Sequence, residues 1–72
     1  MNTYIFSLSI SYQSFLAHYS GAASQVQVLT DQGMKLRIPA SRFRPFLMQN
    51  GVVGRFRLIT DHNSKFIKLE ML

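Results

Sequence analysis

Apolar and polar residues alternate with a period of two in five short runs of this chain, the pattern of strands that bury one face and leave the other in water. In residues 4–10, Tyr4, Phe6, Leu8 and Ile10 fall on one side, and Ser7 and Ser9 on the other. In residues 25–30, Val26, Val28 and Thr30 oppose Gln25 and Gln27, with Leu29 interrupting the polar side. Met34, Leu36 and Ile38 then alternate with Lys35 and Arg37 until Pro39, which cannot donate to a ladder, closes the strand. Phe56 and Leu58 alternate with Arg55 and Arg57 in a fourth run that ends at Thr60. In the fifth, Ile67, Leu69 and Met71 are expected inward, and Phe66, Lys68 and Glu70 outward.

The connections carry their own signals. Ser11 stands where a helix N-cap belongs, and Tyr12, Phe15, Leu16 and Tyr19 follow at the spacing of one helical face, with Gly21 placed to end the helix. Ile10 before the cap and Phe15 at the fourth helical position suit a hydrophobic staple. Two turns of helix are unstable alone in water, so this face must pack on the strands. Asp31, Gln32 and Gly33 form a hairpin connection, and residues 61–64 form a second, with each aspartate expected to bond nearby backbone amides. Ser41 can cap a brief helical turn in which Phe43, Phe46 and Leu47 share a face, shortened by Pro45. Asn50 with Gly51 marks a tight turn, and Gly54 a bulge or close backbone approach. The order is β-α-β-β-(short turn)-β-β, with no crossover long enough for parallel pairing. An α+β, mainly β fold is expected: a five-stranded antiparallel sheet with the helix across one face, or a small barrel with the helix plugging an end.

Seventy-two residues allow one core, so the whole of 1–72 is expected to be a single domain. With 47% apolar and 12% aromatic residues the chain can fill that core, but it has no cysteine for a disulfide or a thiolate metal site. No uninterrupted apolar run of about 18 residues is available to span a bilayer. No Lys or Arg precedes Lys35, so the first residues lack the positive region of a secretory signal. No membrane partner and a cytoplasmic location are expected.

Catalytic chemistry finds little support. The acids are Asp31, Asp61 and Glu70 alone, two of them in turns and the third beside Lys68, so no carboxylate pair is offered for acid–base work. His18 and His62 are far apart and have no cysteine to complete a metal site. No serine lies in a G-x-S-x-G elbow, and the glycines at 21, 33, 51 and 54 are too scattered for a phosphate loop. Neither an enzyme nor a cofactor is expected.

Charge is the one feature with chemical direction. The formal net charge is +5, and all eight Lys and Arg residues follow position 34. Strand alternation puts Lys35, Arg37, Arg55, Arg57 and Lys68 opposite the core side, so they should share one sheet face, with Arg42 and Arg44 on the intervening turn extending it. Phe66 falls on the same outward side and would add an aromatic platform, as in sheets that bind single-stranded nucleic acid. Like charges facing one another destabilise a sheet, which favours an anionic partner such as RNA or DNA. The competing readings are a solvated face that keeps the sheet soluble, and a protein-interaction or homodimer module built on Tyr12, Tyr19, Phe43 and Phe46.

Three blocks of the chain also resemble a known family. They are Tyr4-Ile5-Phe6-Ser7-Leu8 leading into Ser11, Phe15, Leu16, Tyr19 and Gly21; the run L-R-I-P-A-S-R-F-R-P-F from Leu36 to Phe46; and G-V-V-G-R-F-R-L from Gly51 to Leu58, followed by Asp61, Asn63, Lys65 and Phe66. In order and spacing they resemble the short bacterial proteins grouped as domain of unknown function 2835. The resemblance covers nearly the whole chain. It implies a stand-alone bacterial domain and brings no activity, cofactor or catalytic residue.

Overall fold

A computed structural model describes residues 1–19 and 24–72, with His18 and Tyr19 described by their backbone alone. Gly21, expected to end the helix, lies outside the described residues. The elements are β1 (Asn2–Ile10), α1 (Tyr12–Tyr19), β2 (Gln25–Leu29), β3 (Lys35–Pro39), the 3₁₀ helix η1 (Ala40–Phe46), β4 (Val52–Thr60) and β5 (Phe66–Met71). All five expected strands form and every pairing is antiparallel. They make two sheets, three strands in the order β1-β4-β5 and a separate β2-β3 hairpin, in place of one five-stranded sheet or a closed barrel.

The pairing of β1 with β4 runs without a break from Asn2↔Thr60 to Ile10↔Val52. The hairpin touches this sheet through the single bridge Phe6↔Thr30, reinforced by the Asp31 amide donating to the Ile5 carbonyl at 2.8 Å. No hydrogen bonds join β3 to β5, and a cleft lies between β3 and the β4–β5 pair. Phe6, Phe15, Phe43 and Phe56, contributed by β1, α1, η1 and β4, are all fully buried.

Those rings pack as a cluster. Phe6 and Phe56 stack with centroids 5.6 Å apart, Phe43 meets Phe56 edge-on at 5.6 Å, and Phe46 meets it at 5.4 Å. Val26, Val28, Ile38, Ala40, Val52 and Leu58 complete the buried core. The inward sides expected for β1, β2 and β4 are therefore correct. In β3, Leu36 and Ile38 face the core, but Met34 precedes the strand and is exposed.

Local signals hold at the helix start. The Ser11 hydroxyl accepts from the Ser14 amide at 3.2 Å, the bond of an N-cap to the third helical residue. α1 packs against η1 and β2, yet buries only part of the face expected of it: Phe15 is enclosed, while Tyr12 and Leu16 are each 42% exposed. In η1 the N-cap is Pro39 and has no side-chain cap bond, so Ser41 sits inside the helix and does not cap it. Pro45 is accommodated within η1 because the 3₁₀ run ends one residue later, at Phe46. The Asn50–Gly51 turn closes with reciprocal Met48–Gly51 backbone bonds of 2.9 Å. Asp61 behaves as its turn demands, its Oδ1 accepting from the amides of Asn63 at 2.8 Å and Lys65 at 2.9 Å.

Two irregularities fall where alternation did not put them. Gly54 pairs with Leu8 in an unbroken ladder, so it is not a bulge. The bulge is in β5, where Ile59 faces Lys68 but Thr60 faces Phe66, leaving Ile67 as the extra residue. Phe66 thereby turns to the inner side beside buried Thr60 and packs on the core, while Ile67 is 48% exposed. The expected inward Ile67 and outward Phe66 are both reversed. No helix among the described residues is long and apolar enough to cross a membrane.

Candidate functional site

The outer face of the three-stranded sheet carries Arg55 and Arg57 from β4 and Lys68 from β5. These cations are not left to a partner. Arg55 lies across from Ser7 and donates to its hydroxyl at 2.8 Å, and its guanidinium forks onto both carboxylate oxygens of Asp31, at 2.5 and 3.5 Å. Asp31, expected to serve its own turn, instead ties the β2–β3 connection to β4. Arg57 lies across from Glu70, and its Nε donates to Oε1 at 2.9 Å, while Lys68 Nζ approaches Oε2 at 3.5 Å. Three bases therefore meet two carboxylates, and this face keeps only one unbalanced charge.

Lys35 and Arg37 belong to the other sheet. The single basic face expected from alternation does not exist as one surface, because β2 and β3 leave β1 after one bridge. Arg44 is exposed on η1 and lines neither of the clefts described next.

Glu70 is the only glutamate in the chain and offers a direct check on this arrangement. The Arg57 hydrogen bond holds its carboxyl below the ordinary glutamate value, opposed by partial burial and assisted by the charges of Arg57 and Lys68. A folded-state value below the unfolded one stabilises the fold above the unfolded chain's glutamate value, and this contribution disappears as pH falls through the folded value. A ¹³C titration of the Glu70 carboxyl should give a midpoint below that of a free glutamate. Arg57→Gln should raise it, and an unmoved midpoint would remove Arg57 as the cause.

A different cluster forms around Phe66. The Arg42 guanidinium on η1 sits over the Phe66 ring, 4.0 Å from its centroid, a cation–π contact. Phe66 divides two clefts. The larger, about 380 Å³, lies between η1 and β5, with Arg42 and Lys68 among its walls and Pro45, Phe46 and Leu69 supplying apolar surface. The smaller, about 150 Å³, lies between β3 and β4, with Arg37 at its wall and Ser64 beside it. Only the larger falls within the range of small-molecule sites, roughly 300–1,000 Å³. No carboxylate lines either cleft.

Of the eight residues the sequence nominated, Arg42, Phe66 and Lys68 line the larger cleft, Lys68 reaching its rim from the outer face, and Arg37 lines the smaller one on the other side of Phe66. The one hint of this in the sequence is the adjacent apolar pair Phe66–Ile67, which breaks strict alternation at the place where the bulge forms. The aromatic-interface alternative loses its main residues. Phe43 is buried, Phe46 packs on Phe56, and Tyr12 alone of the described rings in that group is exposed. Among the described residues no three His, Asp or Glu side chains gather to hold a metal.

A family model described as Protein of unknown function (DUF2835) matches residues 2–72. The chain belongs to the DUF2835 family. No curated protein and no solved structure matches it. For this DUF2835 chain the site chemistry therefore has to be read from its own side chains. What they offer is an apolar cleft with two cations in its walls, a third across Phe66, and acids committed elsewhere.

Proposed function

We propose that this DUF2835 protein is a non-enzymatic binding module for nucleic acid, holding phosphates with Arg37, Arg42 and Lys68 around Phe66. The observation that carries the reading is the disposition of the acids. Asp31 is occupied by Arg55, Glu70 by Arg57 and Lys68, and Asp61 by turn amides. Lys35, Arg37, Arg42 and Lys65 consequently have no carboxylate partner among the described residues, and they carry four of the eight basic charges of the chain. A cluster of unbalanced cations is destabilised by mutual repulsion and is relieved by a polyanion.

Titrating a fluorescent mixed-sequence oligonucleotide at increasing salt tests this. Three phosphate contacts on a single strand give a slope of log affinity against log salt of about −2. Arg37→Glu should weaken binding roughly tenfold or more and flatten that slope, since it removes one phosphate contact and adds a repulsion. Arg55→Gln should leave affinity within about twofold, because that guanidinium already serves Asp31. Binding no tighter than about 100 μM at low salt, the weak limit of non-specific association, would overturn the proposal. A salt-independent self-association seen by sedimentation would point to an apolar interface instead.

A further inference from the structure

We infer that the larger cleft is a nucleobase site, in which one unstacked base of a single strand lies against the Arg42 guanidinium while Lys68 takes a flanking phosphate; this rests on the nucleic-acid reading above. A guanidinium placed over an aromatic ring has its position set by that ring and keeps a second π face. Arg42 is such a group, held 4.0 Å from the Phe66 centroid while forming part of the cleft wall. Arginine planes stack on nucleobases as aromatic rings do.

The rest of the cleft fits a base better than a bare phosphate. Pro45, Phe46 and Leu69 present carbon surface, from which an inorganic anion gains nothing and against which a flat heterocycle can be buried. Lys68 supplies the charge at the rim. Its Glu70 contact is long, at 3.5 Å, and Glu70 retains the closer Arg57 bond when Lys68 turns to a phosphate. A duplex must first pay to unpair and unstack a base before one can enter a cleft of about 380 Å³. The ligand class is therefore a single strand, and Phe66 acts as the positioning residue for Arg42.

The test compares a short mixed-sequence single strand with an abasic strand of equal length and with the matching duplex. The intact protein should bind the base-bearing strand roughly 5- to 150-fold more tightly than the abasic one, the span of a single stacking contact. Arg42→Lys keeps the charge but loses the plane. It should erase that preference, read as the ratio of base-bearing to abasic affinity on the variant itself, while the charge that serves a phosphate is kept. Arg42 is exposed on η1, so this variant should fold, and unchanged circular dichroism would establish that it has. Equal affinity for base-bearing, abasic and duplex ligands, or a preference that survives Arg42→Lys, would overturn the base site and leave phosphate binding standing. Failure of all three ligands to bind would overturn both.

Discussion

Gly51→Ala should cost the fold more than about 4 kcal/mol, a large part of its stability. Gly51 has φ +102°, a region costing a residue with a Cβ roughly 1–3 kcal/mol. Conformation is the lesser problem. A Cβ at this position would stand 1.9 Å from the Ile10 carbonyl oxygen, 2.7 Å from the Ser11 carbonyl carbon and 2.8 Å from the Tyr12 nitrogen. These are backbone atoms at the junction of β1 and α1, where no side chain can swing aside, and moving them disturbs both the β1–β4 ladder and the Ser11 cap. Together the two effects should exceed about 4 kcal/mol, in the range reserved for gross steric conflict. A chain of this length has only about 4–11 kcal/mol to lose. Gly33 is the internal control, since it too has positive φ, +87°, but nothing lies within 4 Å of its would-be Cβ. Gly33→Ala should therefore lose only about 1 kcal/mol. Urea unfolding followed by circular dichroism measures both. If the two variants prove equally stable, the close approach at Gly51 is not what the residue is for.

The second large effect belongs to Phe56. This ring is fully buried and touches three others: Phe6 stacked at 5.6 Å, Phe43 edge-on at 5.6 Å and Phe46 at 5.4 Å. Phe56→Ala removes surface that β1, β4 and η1 all pack against, and a fully enclosed Phe→Ala change costs about 3–5 kcal/mol. Loss of favourable ring–ring geometry places it at the upper end, since each such pair contributes about 0.5–1.5 kcal/mol beyond area. Phe46→Ala, at a half-buried ring on the border of the cluster, should cost clearly less. The urea midpoint should fall for both with little change in slope, because the surface exposed on unfolding hardly changes. A Phe56→Ala protein no less stable than Phe46→Ala would contradict a core centred on Phe56.

Much of this molecule was legible before any coordinates. Alternation located all five strands and the inward sides of β1, β2 and β4, because a strand with one wet face has no other way to order its side chains. Ser11 announced its helix, Asp61 its turn and Gly51 a tight connection, each through chemistry that acts over three or four residues. The candidate site was legible in its membership more than in its shape. Arg37, Arg42, Phe66 and Lys68 were named, but Phe66 was put on the wrong side, and the one basic face they were to share is divided between two sheets. A period-two reading assumes that no residue is inserted, and β5 inserts Ile67. Phe66 gains a packed position under Arg42 by that slip, and only the arrangement of η1 above β5 makes the gain available.

The residues themselves, then, determined the antiparallel strands, their inward sides over most of the chain, the short helix and the excess of positive charge. Tertiary structure alone decided that the strands divide into two sheets, that Asp31 reaches Arg55, and that Glu70 is shared by Arg57 and Lys68 while Arg37 and Arg42 stay without a carboxylate. The division has a physical root. Helix caps, turns and alternation are interactions between near neighbours in the chain, whereas an ion pair or a cleft depends on where distant segments come to rest. That position is set by how four phenylalanine rings fill a common interior.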